Sequence, residues 1–308
     1  MNPAVEGYAA AVFESVGDRD ADALASELSA IEHLVDRDVQ LHSVLTDTSV
    51  AAPTRRAIVS DLLEGRVGAP ARRLAAYAVS AVRAPDVLGA LNWASHRART
   101  NAEGHSLELT LLGHRAARER VGGYATALFE DTETPDLEEI EDELFRFARI
   151  VESNPELRAD MTDRDVPVAQ RQAVIDQLLA SRVEATTLRL VRFVVTGGRA
   201  RDFVGALDWL VEQTAAARGW RVARVHSAEA IDDAQREALA RALSHLTGAS
   251  VELQVTLDPA LLAGAVIQIG DLQVDTSVRD RLDRLREELL PVGSVRGAGG
   301  QDRARGDQ

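Results

Sequence analysis

The 308-residue chain carries 49 acidic and 35 basic side chains, giving a net charge of −14, and it contains neither cysteine nor lysine. The acidic balance argues against a nucleic-acid partner, because phosphate binding needs a basic face. The missing cysteines exclude disulfides and thiolate metal sites, and the missing lysines exclude a P-loop lysine and any Schiff-base amine.

Length and hydrophobicity set further bounds. A chain of this length is expected to form two or three domains, and 45% hydrophobic residues can fill several small cores. The longest apolar stretches, such as 261–269, are too short to span a membrane. The N-terminus lacks a basic region followed by an apolar run, so no signal peptide is predicted. A soluble intracellular protein is therefore expected.

The first two thirds of the chain consist of an internal repeat. Residues 7–97 recur at 123–213 without a gap, so each position has a counterpart 116 residues later. The segment 7–14 (GYAAAVFE) returns as GYATALFE, and 86–93 (DVLGALNW) returns as DFVGALDW. A fixed register over this length indicates one folded unit used twice.

The second copy shows the clearer helical pattern. Its second helix is predicted to begin at Thr134-Pro135, since a threonine N-cap followed by proline is a favoured start, and to stop at Asn154-Pro155. Gly197-Gly198 is predicted to end a later helix. About six helices are predicted per copy, in a compact bundle. The apolar stripe of the second helix consists of Leu137, Ile140, Leu144, Phe147, Ala148 and Val151.

The first copy carries weaker versions of the same elements. Its second helix presents Leu24, Leu28, Ile31 and Val35 at helical spacing. The segment 104–111 between the copies fits either a remnant strand or a linker. The aromatic residues that recur in the two copies are expected to pack in the core or between helices rather than to stack on a ligand. They are Tyr8, Tyr124, Trp93 and Trp209.

After residue 220 the pattern changes to alternating strands. A strand is predicted at 221–226, followed by a helix that opens with the capping box Asp232 to Gln235. Further strands are predicted at 251–257 and, as a hairpin around Gly270-Asp271, at 265–274. A helix at 278–289 and a disordered tail complete the chain. The apolar face of the first helix is expected to comprise Ala238, Leu239, Ala242, Leu243 and Leu246.

The predicted fold class is mainly α: two tandem six-helix-bundle-like domains followed by a small α+β C-terminal domain. The predicted boundaries are 1–100 for the first repeat, 101–117 for a linker, 118–216 for the second repeat, 217–290 for the α+β domain and 291–308 for the tail.

No assembled active site is predicted. The seven histidines are scattered without metal-binding spacing, and Gly270-Asp271 fits a hairpin turn better than a phosphate-binding loop. The acidic run at 138–143 is expected to be a solvated helix face rather than a pair of catalytic carboxylates. Catalytic, cofactor-binding and metal-binding residues are therefore predicted to be absent.

The segment 261–289 resembles the C-terminal signature of the F-type ATP synthase delta subunit, a relative of the oligomycin-sensitivity-conferring protein. That signature is a Gly-Gly turn, a strand, Ile-Gly-Asp, a second strand, Asp-x-Ser-Val and an amphipathic helix; Ala263-Gly264 stands here for Gly-Gly. The run 124–129 (YATALF) is similar to the start of the family's six-helix N-terminal domain. The matching motif residues are Tyr124, Ala127, Phe129, Gly264, Ile269, Gly270, Asp271, Asp275, Ser277, Val278 and Leu282.

The resemblance covers about residues 118–290, and the preceding 117 residues are an added copy, as in enlarged actinobacterial versions of the subunit. It implies a non-catalytic stator subunit of a proton-translocating synthase, without a cofactor. It further implies that the helical domain binds alpha-subunit N-terminal helices and that the C-terminal domain binds stalk (b-type) helices. Membrane association would be indirect, at the cytoplasmic face of the cell membrane. The alternative is a free-standing helical adaptor unrelated to ATP synthesis.

Overall fold

The computed structural model describes residues 2–105, 109, 111–131, 136–218, 220–247, 250–258, 261, 264–269 and 272–275. These residues form two compact units, Met1–Arg218 and Gly219–Gln308. Both copies of the repeat lie in the first unit. The domain boundaries predicted inside this helical unit remain predictions.

The first repeat is helical throughout. Its helices are α1 Pro3–Arg37, α2 Val39–Thr46, α3 Ala52–Leu63, α4 Ala69–Ala81 and α5 Val87–Ala102, with a 3-10 turn at Ala84–Asp86 before α5. The first two predicted helices both lie within α1 and are separated by a kink at Gly17, where φ of +64° and ψ of −177° are not helical. Glycine adopts this left-handed conformation without the steric penalty of a Cβ atom, so it is suited to the bend.

The second repeat forms the six helices predicted for it. These are α6 His114–Asp131, α7 Leu137–Ser153, α8 Pro155–Thr162, α9 Val168–Leu179, α10 Ala185–Gly197 and α11 Phe203–Ala217, with a 3-10 turn at Ala200–Asp202.

The start of α7 differs from the prediction. The helix begins after Asp136, whose carboxylate accepts a hydrogen bond from the Glu139 N–H at 3.1 Å. Asp136 is therefore the N-cap, and the predicted cap Thr134-Pro135 lies outside the described residues. The stop at Asn154-Pro155 is confirmed, since Asn154 also caps the following helix α8. The predicted apolar stripe of α7 is buried at Ile140, Leu144 and Phe147.

The second unit combines one helix with a four-stranded sheet. Its elements are β1 Trp220–Ser227, α12 Asp233–Thr247, β2 Ser250–Leu257, β3 Ala265–Ile269 and β4 Leu272–Asp275. The strand order is β2-β1-β3-β4. Strand β1 pairs parallel with β2 and antiparallel with β3. The predicted hairpin is confirmed, because Ile269 of β3 lies opposite Leu272 of β4 in an antiparallel pair.

The core of this unit lies between the sheet and one face of α12. It consists of Ala223, Val225, Leu243, Val251, Leu253, Ile267 and Ile269. The predicted capping box is present: Asp232 accepts from the Gln235 N–H at 2.7 Å, and Gln235 accepts from the Asp232 N–H at 3.1 Å. The predicted apolar face of α12 was partly wrong, since Ala238 and Ala242 are exposed while Leu243 is buried and Leu239 half-buried. A side chain as small as alanine does not reveal from spacing alone which way it points.

Several predictions fall outside the described residues. These are the helix at 278–289 with Ser277, Val278 and Leu282, the tail from 291, the turn residues Gly270 and Asp271, and most of the segment 106–110 between the repeats. The prediction for the C-terminal helix and both interpretations of 104–111 therefore stand as they were.

Candidate functional site

The most closely packed part of the helical unit is the crossing of α1 with α6, the first helices of the two repeats. A Cβ atom placed on Gly7 would lie 1.8 Å from the carbonyl oxygen of Arg120, and one placed on Gly123 would lie 1.9 Å from that of Ala4. Gly7 and Gly123 are counterparts in the repeat, and so are Ala4 and Arg120. The crossing is therefore reciprocal: the equivalent glycine of each repeat packs against the carbonyl group of the equivalent residue in the other repeat.

A pair of tyrosine–glutamate contacts flanks this crossing. The hydroxyl of Tyr8 in the first repeat donates to Glu130 Oε2 of the second at 2.6 Å. Its counterpart Tyr124 donates to Glu14 Oε2, the counterpart of Glu130. Burial and the neighbouring carboxylate raise the pKa of both tyrosines well above the ordinary value. Both hydroxyls therefore remain protonated and act as donors. Each repeat donates one tyrosine–glutamate hydrogen bond to the other.

Each tyrosine is backed by a ring of its own repeat. Tyr8 stacks on Tyr77 with ring centroids 4.1 Å apart, and Tyr124 stacks on Phe193 at 3.8 Å. Phe193 is the counterpart of Tyr77. Burial, followed by the charge of Glu130, raises the pKa of Tyr77 to about 12. The prediction that the repeated tyrosines pack rather than stack on a ligand is confirmed for Tyr8 and Tyr124, both of which are buried.

Arginine side chains form ion pairs across the contact between the two repeats. Arg73 of the first repeat donates to the carbonyl oxygen of Glu130 at 2.8 Å and pairs with Asp131. Its counterpart Arg189 pairs with Glu14 at 3.1 Å. The buried Arg120 on α6 pairs with Glu6 on α1 at 3.0 Å. A buried guanidinium needs a partner for its charged N–H groups. These ion pairs supply that partner and at the same time connect the two repeats.

The acidic run of α7 is only in part the solvated face that the sequence predicted, since Glu138, Glu139 and Asp142 are exposed and the other two glutamates are not. Glu141 and Glu143 are buried. Glu141 Oε2 pairs with Arg218 at 3.0 Å, and Glu143 accepts from the Glu184 N–H at 3.0 Å and from the Thr187 hydroxyl at 2.5 Å. The carboxylate of Glu143 thus caps the start of α10, where unpaired N–H groups and the helix dipole favour a negative charge.

The repeat contained a signal for this role that the prediction did not use. Glu27, the counterpart of Glu143, accepts from the N–H of Gly68 at the start of α4 at 2.9 Å. A glutamate at the same position in both copies is consistent with an equivalent buried partner in each repeat rather than with two solvated side chains.

The motif residues that carry the family resemblance are spread over both units. Tyr124 and Ala127 are buried on α6, Phe129 is half-buried on the same helix, and Ile269 is buried in the sheet core. Gly264, with φ of +90°, precedes β3, and Asp275 on β4 lies opposite Val266.

Among the positions that the structure describes, no group of three or more His, Cys, Asp or Glu side chains is placed to hold a metal ion. Within the same part of the chain, no helix is both long and apolar enough to cross a membrane.

The chain was compared with known proteins. The family model "ATP synthase delta (OSCP) subunit" matches residues 121–289. The ATP synthase subunit delta of Streptomyces avermitilis is 35% identical over 266 residues, which cover 86% of this chain and 88% of that protein. The corresponding subunits of Nocardia farcinica and Frankia alni are 34% and 33% identical over 265 and 273 residues, covering 86% and 88% of this chain and 88% of each relative.

The family model and the relatives differ in how much of the chain they match. The model begins at Val121 and leaves out the first repeat. An alignment of 266 residues must include part of the first repeat, since only 188 residues follow Arg120. The added repeat is therefore shared with these relatives, and the chain belongs to the ATP synthase delta (OSCP) subunit family.

Proposed function

We propose that this protein is a peripheral-stalk subunit of a proton-translocating F-type ATP synthase and connects the catalytic head to the membrane-anchored stalk. The observation that carries this proposal is the family match, which spans the second helical repeat and the C-terminal unit together. The role is mechanical: the rotor does work on the head only if the head is held still. Its proposed contribution is a set of packed surfaces rather than chemistry.

The helical unit is proposed to bind N-terminal helices of alpha subunits. Leu34 on α1 and Ile150 on α7 are counterparts in the repeat, and both are large apolar side chains exposed to solvent. Apolar anchors of this kind receive an amphipathic helix in a groove between bundle helices. The same exposed position in both repeats supports a helical partner for each of them.

The C-terminal unit is proposed to bind the helices of the b-type stalk subunit. Leu257 at the end of β2 is 58% exposed, although the strand before it alternates regularly and buries Val251 and Leu253. An exposed leucine that continues a buried row is suited to a partner that extends the core. Through these partners the protein is proposed to reside at the cytoplasmic face of the cell membrane, as a peripheral part of the complex.

The proposal is tested by removing the C-terminal unit from the intact enzyme. The truncation should end after Arg218, because Arg218 pairs with Glu138 and Glu141 and belongs to the helical unit. In synthase reconstituted into vesicles with the 1–218 protein, we expect ATP hydrolysis to continue and ATP-driven proton uptake to be lost. The full chain, added to the same subunits in parallel, should restore uptake. Normal proton uptake with the truncated protein would refute the stator role.

A second experiment tests the absence of catalysis. The purified protein is expected neither to bind nor to hydrolyse ATP, because the chain has no lysine and no glycine-rich loop to hold phosphates. Isothermal titration with Mg-ATP and a phosphate-release assay measure both quantities. Turnover that copurifies with the monomeric protein through two different columns would contradict this expectation.

A further inference from the structure

Both repeats bury an arginine at the same position. Arg55 on α3 and Arg171 on α9 are counterparts in the repeat, and they are 5% and 6% exposed. A guanidinium at this depth must have its N–H groups paired, because burying an unpaired charge is among the least favourable changes in a folded protein. The surroundings of the two arginines can therefore be compared directly.

Each of the three guanidinium nitrogens of Arg55 has a hydrogen-bond acceptor within its own repeat. Its Nε donates to the carbonyl oxygen of Val79 at 3.1 Å, its Nη1 to that of Val50 at 2.7 Å, and its Nη2 to that of Val82 at 2.8 Å. Two of these acceptors lie at the C-terminal end of α4, where carbonyl groups lack helical partners. In the first repeat the buried arginine thus has a structural role.

Arg171 lacks this arrangement. Its Nε and Nη1 atoms are buried and make no hydrogen bond with any of the described residues. Burial lowers the pKa of Arg171, and the nearby Asp163 opposes that shift only in part. The second repeat therefore keeps a buried donor group whose acceptor is missing.

Arg171 also lines a cavity of about 660 Å³, so its side chain borders a space that can hold an anionic group. The wall of this cavity also carries Arg164, Arg199 and Arg201, against the two acidic residues Asp163 and Asp165. Four arginines and two aspartates give it a net charge of +2, on a chain whose total charge is −14. A local excess of positive charge attracts an anionic group.

Two exposed apolar side chains also line the cavity. Leu111 is 88% exposed and Val168 is 39% exposed. The volume lies in the range of clefts that bind organic ligands, roughly 300–1,000 Å³, and is large for a single inorganic ion. A net positive lining that also includes exposed apolar side chains is complementary to a carboxylate flanked by aliphatic side chains.

We propose that this cavity binds a glutamate or aspartate side chain of an acidic, partly apolar segment of another polypeptide, with the carboxylate accepting hydrogen bonds from Arg171. A carboxylate matches the guanidinium fork in geometry and charge, and such charge-assisted pairs are the strongest hydrogen bonds available to the site. The first repeat has no equivalent site, because Arg55 is already saturated and the counterparts of Arg164 and Arg201 are Thr48 and Pro85. The proposal does not depend on the stator role, since the site belongs to the isolated chain.

The test uses the full chain labelled with ¹⁵N-arginine and follows the Nε–H resonances by NMR. The Arg171 signal is identified by its loss in Arg171→Gln, and the Arg55 signal by its loss in Arg55→Gln. The probes are the capped peptides Leu-Glu-Leu and Leu-Gln-Leu, together with inorganic phosphate. We expect Leu-Glu-Leu to shift the Arg171 signal and leave the Arg55 signal in place, because Arg55 already donates to Val79.

Binding is expected to depend on the carboxylate and on the arginines of the cavity. Leu-Gln-Leu and phosphate should each bind at least about tenfold more weakly than Leu-Glu-Leu, as expected when charge-assisted or apolar contacts are lost. Arg164→Gln with Arg199→Gln, two substitutions outside the helix cores, should weaken binding by a similar factor even if Arg171→Gln does not fold. Absence of a shift, equal binding of the glutamine peptide, or equal binding of phosphate would each overturn the proposal.

Discussion

The two helical repeats use equivalent glycine and tyrosine residues in the contact between them, but they differ in the surroundings of a buried arginine. The reciprocal pairs Gly7 with Gly123 and Tyr8 with Tyr124 occupy equivalent places in the shared contact. Away from it, the first repeat saturates Arg55 with three carbonyl oxygens, whereas the second leaves two nitrogens of Arg171 without an acceptor among the described residues. The glycine and tyrosine contacts are therefore common to both repeats, whereas the surroundings of the buried arginine are not.

The cores of the two repeats differ in the size of their side chains. In the second repeat Phe147 meets Phe203 edge to face, with ring centroids 6.4 Å apart. The counterparts in the first repeat are the smaller Ile31 and Val87. Packing changed while the helix register was kept, since cores accept different hydrophobic side chains when the apolar pattern is maintained.

The largest expected effect is that of truncating the aromatic core of the second repeat. Phe147→Ala should lower the free energy of unfolding by about 3–5 kcal/mol, because it removes a buried ring and leaves a cavity. Urea unfolding followed by circular dichroism measures this change. The control is Ile150→Ala on the same helix, where the side chain is 52% exposed and the change should stay within about 0.5 kcal/mol. A similar loss for both variants would mean that the core is misassigned.

The reciprocal crossing makes a prediction of equal effects. Gly7→Ala and Gly123→Ala each place a methyl group against a backbone carbonyl oxygen of the opposite helix, and each should destabilise the protein by roughly 1–3 kcal/mol. Gly89→Ala in α5 is the matched control, because a Cβ there has no heavy atom within 4 Å among the described residues. That variant should be more stable by up to about 1 kcal/mol, from helix propensity.

The thermal unfolding temperatures of these three variants measure the predicted changes in stability. A loss of stability for Gly7→Ala alone would show that the crossing is not reciprocal, and a gain for all three would show that the helices do not approach closely.

The two buried arginines should respond differently to the same substitution. Arg55→Gln leaves backbone carbonyl oxygens without donors and is expected to lower stability by about 1–3 kcal/mol. Arg171→Gln removes a buried charge whose Nε and Nη1 have no acceptor among the residues described, so stability should be unchanged or increased. Chemical denaturation of the two purified variants measures the difference. Equal losses would show that Arg171 is as well satisfied as Arg55.

The smallest effect at neutral pH, and one common to both repeats, concerns the tyrosines. All three tyrosines of the chain have a raised pKa in the folded protein. Between the unfolded pKa near ~10 and the higher folded values, the unfolded chain binds fewer protons than the folded one. Stability should therefore be intact below pH ~10 and fall as the pH rises above it.

Absorbance at 295 nm during an alkaline titration, with circular dichroism in parallel, tests this expectation. Tyrosinate should appear together with loss of helix. Ionisation near pH ~10 with the helices intact would contradict the burial of Tyr8 and Tyr124.

The sequence was sufficient to predict the repeat, the helix order and the strand pattern, because these depend on periodicity and on turn residues that are local in the chain. The burial of Glu141 and Glu143 was mispredicted, since their partners Arg218, Glu184 and Thr187 lie more than forty residues away. Composition and spacing report which residues can share a helix face; they do not report which face a distant helix covers. The sequence also does not show that Nε and Nη1 of Arg171 lack an acceptor among the described residues, because Arg171 occupies the same position in its repeat as Arg55.

The reciprocal crossing of α1 and α6 has a consequence for how the molecule responds to force. Because both partners of this contact belong to one polypeptide, its re-formation after a transient opening is a unimolecular event that dilution does not slow. A contact between separate subunits, once pulled apart, must instead wait for a second molecule to arrive. Fusing two copies of one bundle thus converts an assembly step into a property of a single chain. Torque fluctuations that separate the repeats would be followed by reclosure rather than by loss of a subunit.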